Sequence, residues 1–142
     1  MGKPDPEILA MMDLFSKLKK MKILLIDDDE WIRNSMILFF ETEGCQLLAL
    51  ETAEEAIEAL EQQHYDIIIT DYRLPGMDGL QFLNRVQSLY PDALKMLITA
   101  YRSPEVVSAA IKAGIHDFLE KPFTSETIED SLSRLIAVHE QK

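Results

Sequence analysis

The sequence predicts an α/β domain, a single doubly wound sheet of five parallel strands with helices on both faces, and three observations carry that prediction. Short apolar runs alternate with amphipathic segments along residues 22–139, the rhythm of successive βα units. Four runs stop on chemically capable side chains: ILLI at Asp27, Asp28 and Asp29, DIIIT at Asp71, KMLIT at Thr99, and HDFLE at Lys121. The successive intervals, Asp27 to Asp71, Asp71 to Thr99 and Thr99 to Lys121, are 44, 28 and 22 residues. A strand with its returning helix takes roughly 20 to 30 residues, so the gaps read as two units, one and one. Every such residue then falls at a strand's carboxyl end, the edge where open α/β sheets bind ligands.

The elements follow in order. Ile8, Met11, Met12, Phe15 and Leu18 recur at three- and four-residue spacing in EILAMMDLFSKLKK, so residues 7–20 form an amphipathic helix, its start set by Pro4 and Pro6. Strands are expected over 22–27, 46–50, 66–70, 94–98 and 116–119, all short and rich in Ile and Leu, as suits strands covered on both faces. Asp29 caps a helix over 30–43 that stops before Gly44, and Thr52 with Glu55 makes a capping box for 53–62. Asp78 caps 79–90, Ser103 and Pro104 open 104–113 with Gly114 closing it, and Thr124 or Ser125 starts 126–139.

Composition bounds the function. At 142 residues and 47% hydrophobic, the chain fills one core and is too short for two ordinary domains. Its apolar runs are strand-sized, below the roughly 20 residues of a membrane-spanning helix, and the N-terminus lacks the order of a secretory signal. A soluble, cytoplasmic protein is expected, with no membrane partner. The 25 acidic and 14 basic residues leave a formal charge of −11, which argues against direct nucleic acid binding. The cluster Lys17, Lys19, Lys20 and Lys22 reads as the basic end of a helix. The lone Cys45 reads as buried packing. His64, His116 and His139 show no ligand spacing.

The chemistry turns on carboxylates. Asp27, Asp28 and Asp71 brought together repel one another, a strain that a hard divalent cation relieves, and an oxygen-only set suits Mg²⁺ better than zinc. The alternative for the triplet is a cap at Asp29 with Asp27 and Asp28 solvated; three consecutive acids after a buried strand exceed what a cap needs, and Glu30 has no role. Asp71 precedes YRLPGMDG, whose Pro75, Gly76 and Gly79 demand a defined backbone path. It is either a third metal ligand or a nucleophile toward phosphorus. Lys121 offers positive charge to a phosphoryl group and Thr99 a hydroxyl donor. The Lys121–Pro122 bond is a candidate for cis.

LLIDDD, DIIITDYRLPGMDG, LITA and EKPF, in that order over residues 22–139, resemble the receiver domain of bacterial two-component response regulators. The resemblance implies a CheY-like, flavodoxin-type strand order of 2-1-3-4-5, with residues 1–21 an N-terminal helical extension and 22–142 the receiver. It implies that Asp71 accepts a phosphoryl group from a sensor histidine kinase's phosphohistidine. Asp27, Asp28, Asp71 and the backbone carbonyl of Arg73 would hold Mg²⁺, while Thr99 and Lys121 contact the phosphoryl oxygens. Thr99 and Phe118 would form the switch, altering the surface of helix 104–113, strand 116–119 and helix 126–139 for a partner. Arg73 and Tyr101, beside the acceptor and the threonine, suggest a long-lived phosphorylated form by crowding water.

A phosphohydrolase of haloacid dehalogenase type is the alternative, but its D-x-D-x-T pattern fails where Asp27 and Asp29 are followed by Trp31. A flavodoxin shares the fold, yet DDDEW after the first strand would repel a flavin phosphate. The middle motifs and LEKPF are similar to receivers of nitrogen-regulatory-type activators. A receiver drives an attached output domain or a separate effector, so the chain is expected to act on a partner or to belong to a longer regulator. The stripe of the first helix needs burial: against its own domain, against a second copy in a homodimer, or as the remnant of an upstream domain, with self-association the favoured expectation.

Overall fold

Strand runs rich in Ile and Leu can be buried on two sides only if helices cover both faces of their sheet, and the structure, a computed structural model that describes residues 2–141, has that layering. The chain runs α1 (Pro6–Leu18), β1 (Lys22–Ile26), α2 (Glu30–Thr42), β2 (Gln46–Leu50), α3 (Ala53–Gln62), β3 (Ile67–Asp71), α4 (Gly79–Leu89), β4 (Leu94–Thr99), α5 (Pro104–Lys112), β5 (Asp117–Glu120) and α6 (Ser125–Glu140). The five strands are parallel in the order β2-β1-β3-β4-β5, as the resemblance implied. The order reverses between β1 and β3, so the loops leaving those strands part company and open a crevice at their carboxyl ends.

Alternate strand residues serve opposite faces. Ile23, Leu25, Ile67, Ile69, Met96 and Ile98 pack with Met36 and Phe40 of α2 and Leu132 and Leu135 of α6. Leu24, Ile26 and Ile68 pack with Ala53 and Ala56 of α3 and Phe82 and Val86 of α4. A smaller cluster joins Leu97 to Leu83 of α4 and Ala110 of α5. Cys45 is buried in the first of these clusters. Among the described residues, no helix is long and apolar enough to cross a membrane.

The expected caps are present. Asp29 accepts from the Trp31 and Ile32 amides, Ser103 from Val106, and Thr52 with Glu55 forms the reciprocal box. Gly44 and Gly114, with φ of 76° and 83°, follow α2 and α5, ending them in the left-handed conformation. Asp78 makes a second box with Gln81, and Thr124 rather than Ser125 caps α6. Strand ends differ from expectation by about one residue: Asp27 lies just past β1, while β3 and β4 run on through Asp71 and Thr99.

The first helix departs further from expectation. Asp5 caps it, and only its C-terminal half is covered: Leu14, Phe15 and Leu18 join the α2 and α6 core, Phe15 meeting the Phe39 ring at 5.7 Å. Each such burial contributes roughly 1.5 to 3 kcal/mol over exposure, enough to dock the helix on its own chain. Of the expected stripe, Phe15 and Leu18 are buried whereas Ile8, Met11 and Met12 remain exposed together with Leu9. Lys17, in the last turn, pairs with Glu140 of α6 at 2.9 Å and with Asp13 at 3.1 Å, and Lys19 is the C-cap.

Candidate functional site

Parallel register brings the chemically capable residues level. Ile26 pairs with Thr70, Asp71 with Ile98, and Thr99 with Glu120, so Asp27, Asp71, Thr99 and Lys121 all emerge at one edge. Asp27, Asp71 and Thr99 are buried, at 0%, 6% and 4% exposure, whereas Asp28 is exposed. Oxygens of Asp27, Asp28 and Asp71 all lie within 4.8 Å of one another.

The Lys121 ammonium sits between two of these carboxylates, 3.4 Å from Asp27 Oδ2 and 3.3 Å from Asp71 Oδ2. Those distances exceed the 2.7 to 2.9 Å of a strong charge-assisted bond; one cation is shared between two anions and satisfies neither. Asp27 Oδ1 accepts from the Asp29 amide at 2.9 Å, but its buried Oδ2 has no hydrogen-bond partner. Burial, and then Asp27, push the Asp71 carboxyl up to about 6 against the opposing pull of Lys121. Burial also raises Asp27. For Lys121, burial pulls down, yet Asp27 and Asp71 together outweigh it and the ammonium is held above the ordinary lysine range. Three oxygen donors and an orphaned buried acceptor fit a hard divalent cation.

The Lys121–Pro122 bond is cis. The Thr99 hydroxyl is engaged with the loop beyond β4, donating to the Tyr101 carbonyl at 3.0 Å and accepting from the Tyr101 amide at 3.2 Å. A cleft of about 430 Å³ over Asp71 is lined by Arg73, Thr99, Tyr101 and Lys121 among others. Tyr101 is 72% exposed at its rim. Phe118 is half-buried beside the Leu97 cluster, and the Arg102 guanidinium covers its ring at 4.6 Å.

The loop after Asp71 returns so tightly that Gly79 meets the acceptor's own backbone. Its amide donates to the Tyr72 carbonyl at 2.9 Å, and a Cβ there would stand 2.1 Å from the Asp71 carbonyl oxygen and 3.0 Å from Tyr72 Cα. Backbone cannot step aside as a flexible side chain can. Gly79→Ala is expected to cost about 2 to 3 kcal/mol and to displace Asp71, so urea unfolding and Asp71 labelling by a phosphodonor should both fall; wild-type values in both would refute this.

Asp27, Asp28, Asp71, Thr99 and Lys121 share one edge, with Arg73 lining the cleft there, whereas Phe118 lies back within β5, level with Leu97 of β4. Sequence reasoning missed Arg33 and Arg102. A cation one turn inside α2, where the dipole favours acids, was a signal for Arg33; Arg102 offered none. His64, His116 and His139 lie outside the acidic group: His64 bonds Asp66 at 2.9 Å, and His116 Nδ1 accepts from the Lys95 amide at 3.0 Å. Among the described residues, Asp27, Asp28 and Asp71 form the one cluster of potential metal ligands.

Residues 23–133 match the family model described as the response regulator receiver domain. Among curated proteins, the response regulator protein FleR of Pseudomonas aeruginosa is 32% identical over 113 residues, 80% of this chain and 24% of FleR. A cyclic di-GMP phosphodiesterase of Thermotoga maritima is 31% identical over 108 residues, 76% of this chain and 29% of that protein. The chain thus spans about a quarter of the length of these relatives. Among solved structures, a CheY-like response regulator receiver domain protein from Methanospirillum hungatei superimposes with a TM-score of 0.80 at 26% identity, covering 85% of this chain and 97% of its own. The haloacid dehalogenase alternative has no support: its nucleophile position, Asp27, is fully buried, and exposed Trp31 stands where it needs a threonine. With the register, the carboxylate cluster and the family match in agreement, the chain belongs to the receiver domains of two-component response regulators.

Proposed function

We propose that Asp71 is the phosphoacceptor of this receiver and takes its phosphoryl group from the phosphohistidine of a sensor histidine kinase. An Asp71 carboxylate oxygen attacks phosphorus, the O–P bond of an acyl phosphate forms, the N–P bond breaks, and the imidazole leaves with the bonding pair. The observation that carries the reading is the carboxylate trio, buried Asp27 and Asp71 with exposed Asp28, in which the Lys121 ammonium reaches only the first two and Asp27 Oδ2 lacks a hydrogen-bond partner. Asp27, Asp28, Asp71 and the Arg73 backbone carbonyl are the proposed Mg²⁺ ligands. Bound there, Mg²⁺ offsets the negative charge that accumulates as an anionic carboxylate meets an anionic phosphoryl group. Lys121 and Thr99 engage the phosphoryl oxygens. The test is incubation with acetyl phosphate and Mg²⁺ followed by intact mass: stoichiometric labelling on Asp71 supports the proposal, and no labelling, or labelling at another residue, defeats it.

The same residues form the proposed switch. Phosphorylation adds nearly two negative charges and strong acceptors at Asp71. Thr99, drawn to them, gives up its bonds to Tyr101, and Phe118 turns inward, reshaping the surface of α5, β5 and α6 that a partner reads. Arg102 over the Phe118 ring favours the resting arrangement by about 0.5 to 1 kcal/mol. Arg102→Ala is therefore expected to raise the inward population of Phe118 in unphosphorylated protein two- to fivefold, read from its ring resonances by NMR. An unchanged spectrum would exclude that contribution.

Partner readings belong to this proposal as well. Residues 1–21 are read as an N-terminal extension whose helix α1 docks on the receiver through Leu14, Phe15 and Leu18, and exposed Ile8, Leu9, Met11 and Met12 support pairing with a second copy. Relatives several times longer than this chain support coupling to an output domain or effector, in the cytoplasm with the kinase.

A further inference from the structure

Arg33 lies one turn inside α2, where the helix dipole disfavours a cation, yet its side chain is only 14% exposed. It turns back across the helix start. Nη1 donates to the Asp27 backbone carbonyl at 2.8 Å, and Nη2 lies 3.5 Å from Glu51 Oε1 beyond the end of β2. Asp27 is held from two other directions: its amide donates to the Leu50 carbonyl at 3.0 Å, and its Oδ1 accepts from the Asp29 amide at 2.9 Å.

We infer that Arg33 is a positioning residue whose guanidinium staples the carboxyl end of β1 to that of β2 and fixes the peptide plane joining Asp27 to Asp28. The inference rests on reading the acidic cluster as a Mg²⁺ site and goes beyond it by assigning work to a residue outside the cluster. The physical need is plain. Three carboxylates within 4.8 Å repel one another, and the exposed Asp28 sits on a turn that can relieve the repulsion by rotating away. A peptide unit is planar, so a bond that fixes the Asp27 carbonyl also fixes the direction in which the chain reaches Asp28 Cα. A guanidinium supplies two donors in a rigid fork and spans from Asp27 to Glu51; a lysine offers one point of attachment. Asp28 is thereby presented before the cation arrives.

Groups that orient metal ligands from outside the coordination shell typically change affinity 10- to 100-fold when removed. The experiment is a Mg²⁺ titration of the full chain, followed by the fluorescence of its single tryptophan, Trp31, whose amide bonds the Asp29 cap. Amide exchange at Asp29 in metal-free protein is the second readout. Arg33→Ala is expected to raise the Mg²⁺ dissociation constant roughly tenfold and to speed Asp29 exchange. Arg33→Lys recovers part of both, and Glu51→Gln, which keeps the bond to Asp27, changes affinity less than Arg33→Ala does. Wild-type affinity and exchange in Arg33→Ala overturn the inference, as does an affinity loss that tracks global melting with no recovery in Arg33→Lys. Should Arg33→Ala not fold, Arg33→Lys decides: weakened Mg²⁺ binding at unchanged melting temperature supports the staple, and unchanged binding removes it. A wild-type chain that binds no Mg²⁺ defeats the metal reading and this inference together, whereas wild-type binding unaltered in Arg33→Ala defeats this inference alone.

Discussion

Asp71→Asn is expected to abolish phosphoacceptance completely while making the metal-free protein more stable, two effects of opposite sign from one atom exchange. The amide nitrogen cannot form the acyl phosphate, and Asn keeps the volume of the side chain it replaces. Stability rises because Asp71 is a carboxylate the fold would rather keep protonated: burial, then Asp27, lift its pKa from 3.8 to about 6. This reverses the usual carboxylate case. The folded state binds the proton more tightly than the unfolded state, so the contribution to stability is most favourable below pH 3.8, declines as pH rises toward 6, and is flat above. Two units correspond to at most about 3 kcal/mol, and residual solvation of the site reduces the expected gain at pH 7.5 to about 1 to 2 kcal/mol. Urea unfolding of both proteins at pH 4 and pH 7.5 without Mg²⁺ checks this: the curves should converge at the lower pH. Destabilisation at pH 7.5, or any acyl phosphate in the variant, would contradict the assignment.

Why the site was so readable, and the first helix so much less so, comes down to how each is specified. Asp27, Asp71, Thr99 and Lys121 each end an apolar run, and in parallel strands the end of a run is a position in space; Ile26 beside Thr70 and Thr99 beside Glu120 convert chain intervals directly into neighbours. Caps were legible because Thr52 with Glu55, or Ser103 with Pro104, act within four residues. Helical periodicity, by contrast, gives a face but not how much of it is covered. Met11 and Met12 obey the same spacing as Phe15 and Leu18, yet the domain surface ends beneath Leu14 and Phe15, leaving the first turns uncovered. Arg33 and Arg102 escaped because their partners lie across elements. Arg102 reaches Phe118 only because β4 and β5 align Leu97 with Phe118, a register that local pattern does not state. The orphaned Oδ2 of Asp27 was equally hidden, since it depends on where Lys121 comes to rest.

Lys121→Ala should be the most damaging substitution to the resting site, and its damage should depend on pH. The ammonium is the cation in contact with both Asp27 and Asp71, the first fully buried and the second nearly so. Removing one partner of a buried ion pair costs about 3 to 5 kcal/mol; here 24% exposure of the lysine side chain moderates that, and about 2 to 4 kcal/mol is expected at pH 8. The lysine does not itself set the pH dependence. Its folded pKa lies above the ordinary 10.5, so its stabilising charge is fully present below that value and is lost only as pH rises through the folded pKa. The carboxylates set it. With the cation gone, Asp71 rises beyond its present value of about 6 and Asp27 rises further from its ordinary range, and each takes up a proton as pH falls through the displaced value, relieving the repulsion. Unfolding measured between pH 8 and pH 5 without metal should therefore show the deficit shrinking toward the acid side, and Mg²⁺ at pH 8 should recover part of it by mass action. A deficit equal at both pH values and indifferent to Mg²⁺ would mean that Lys121 matters for packing alone, and that the carboxylates at the sheet edge are not held together by the cation that the geometry places between them.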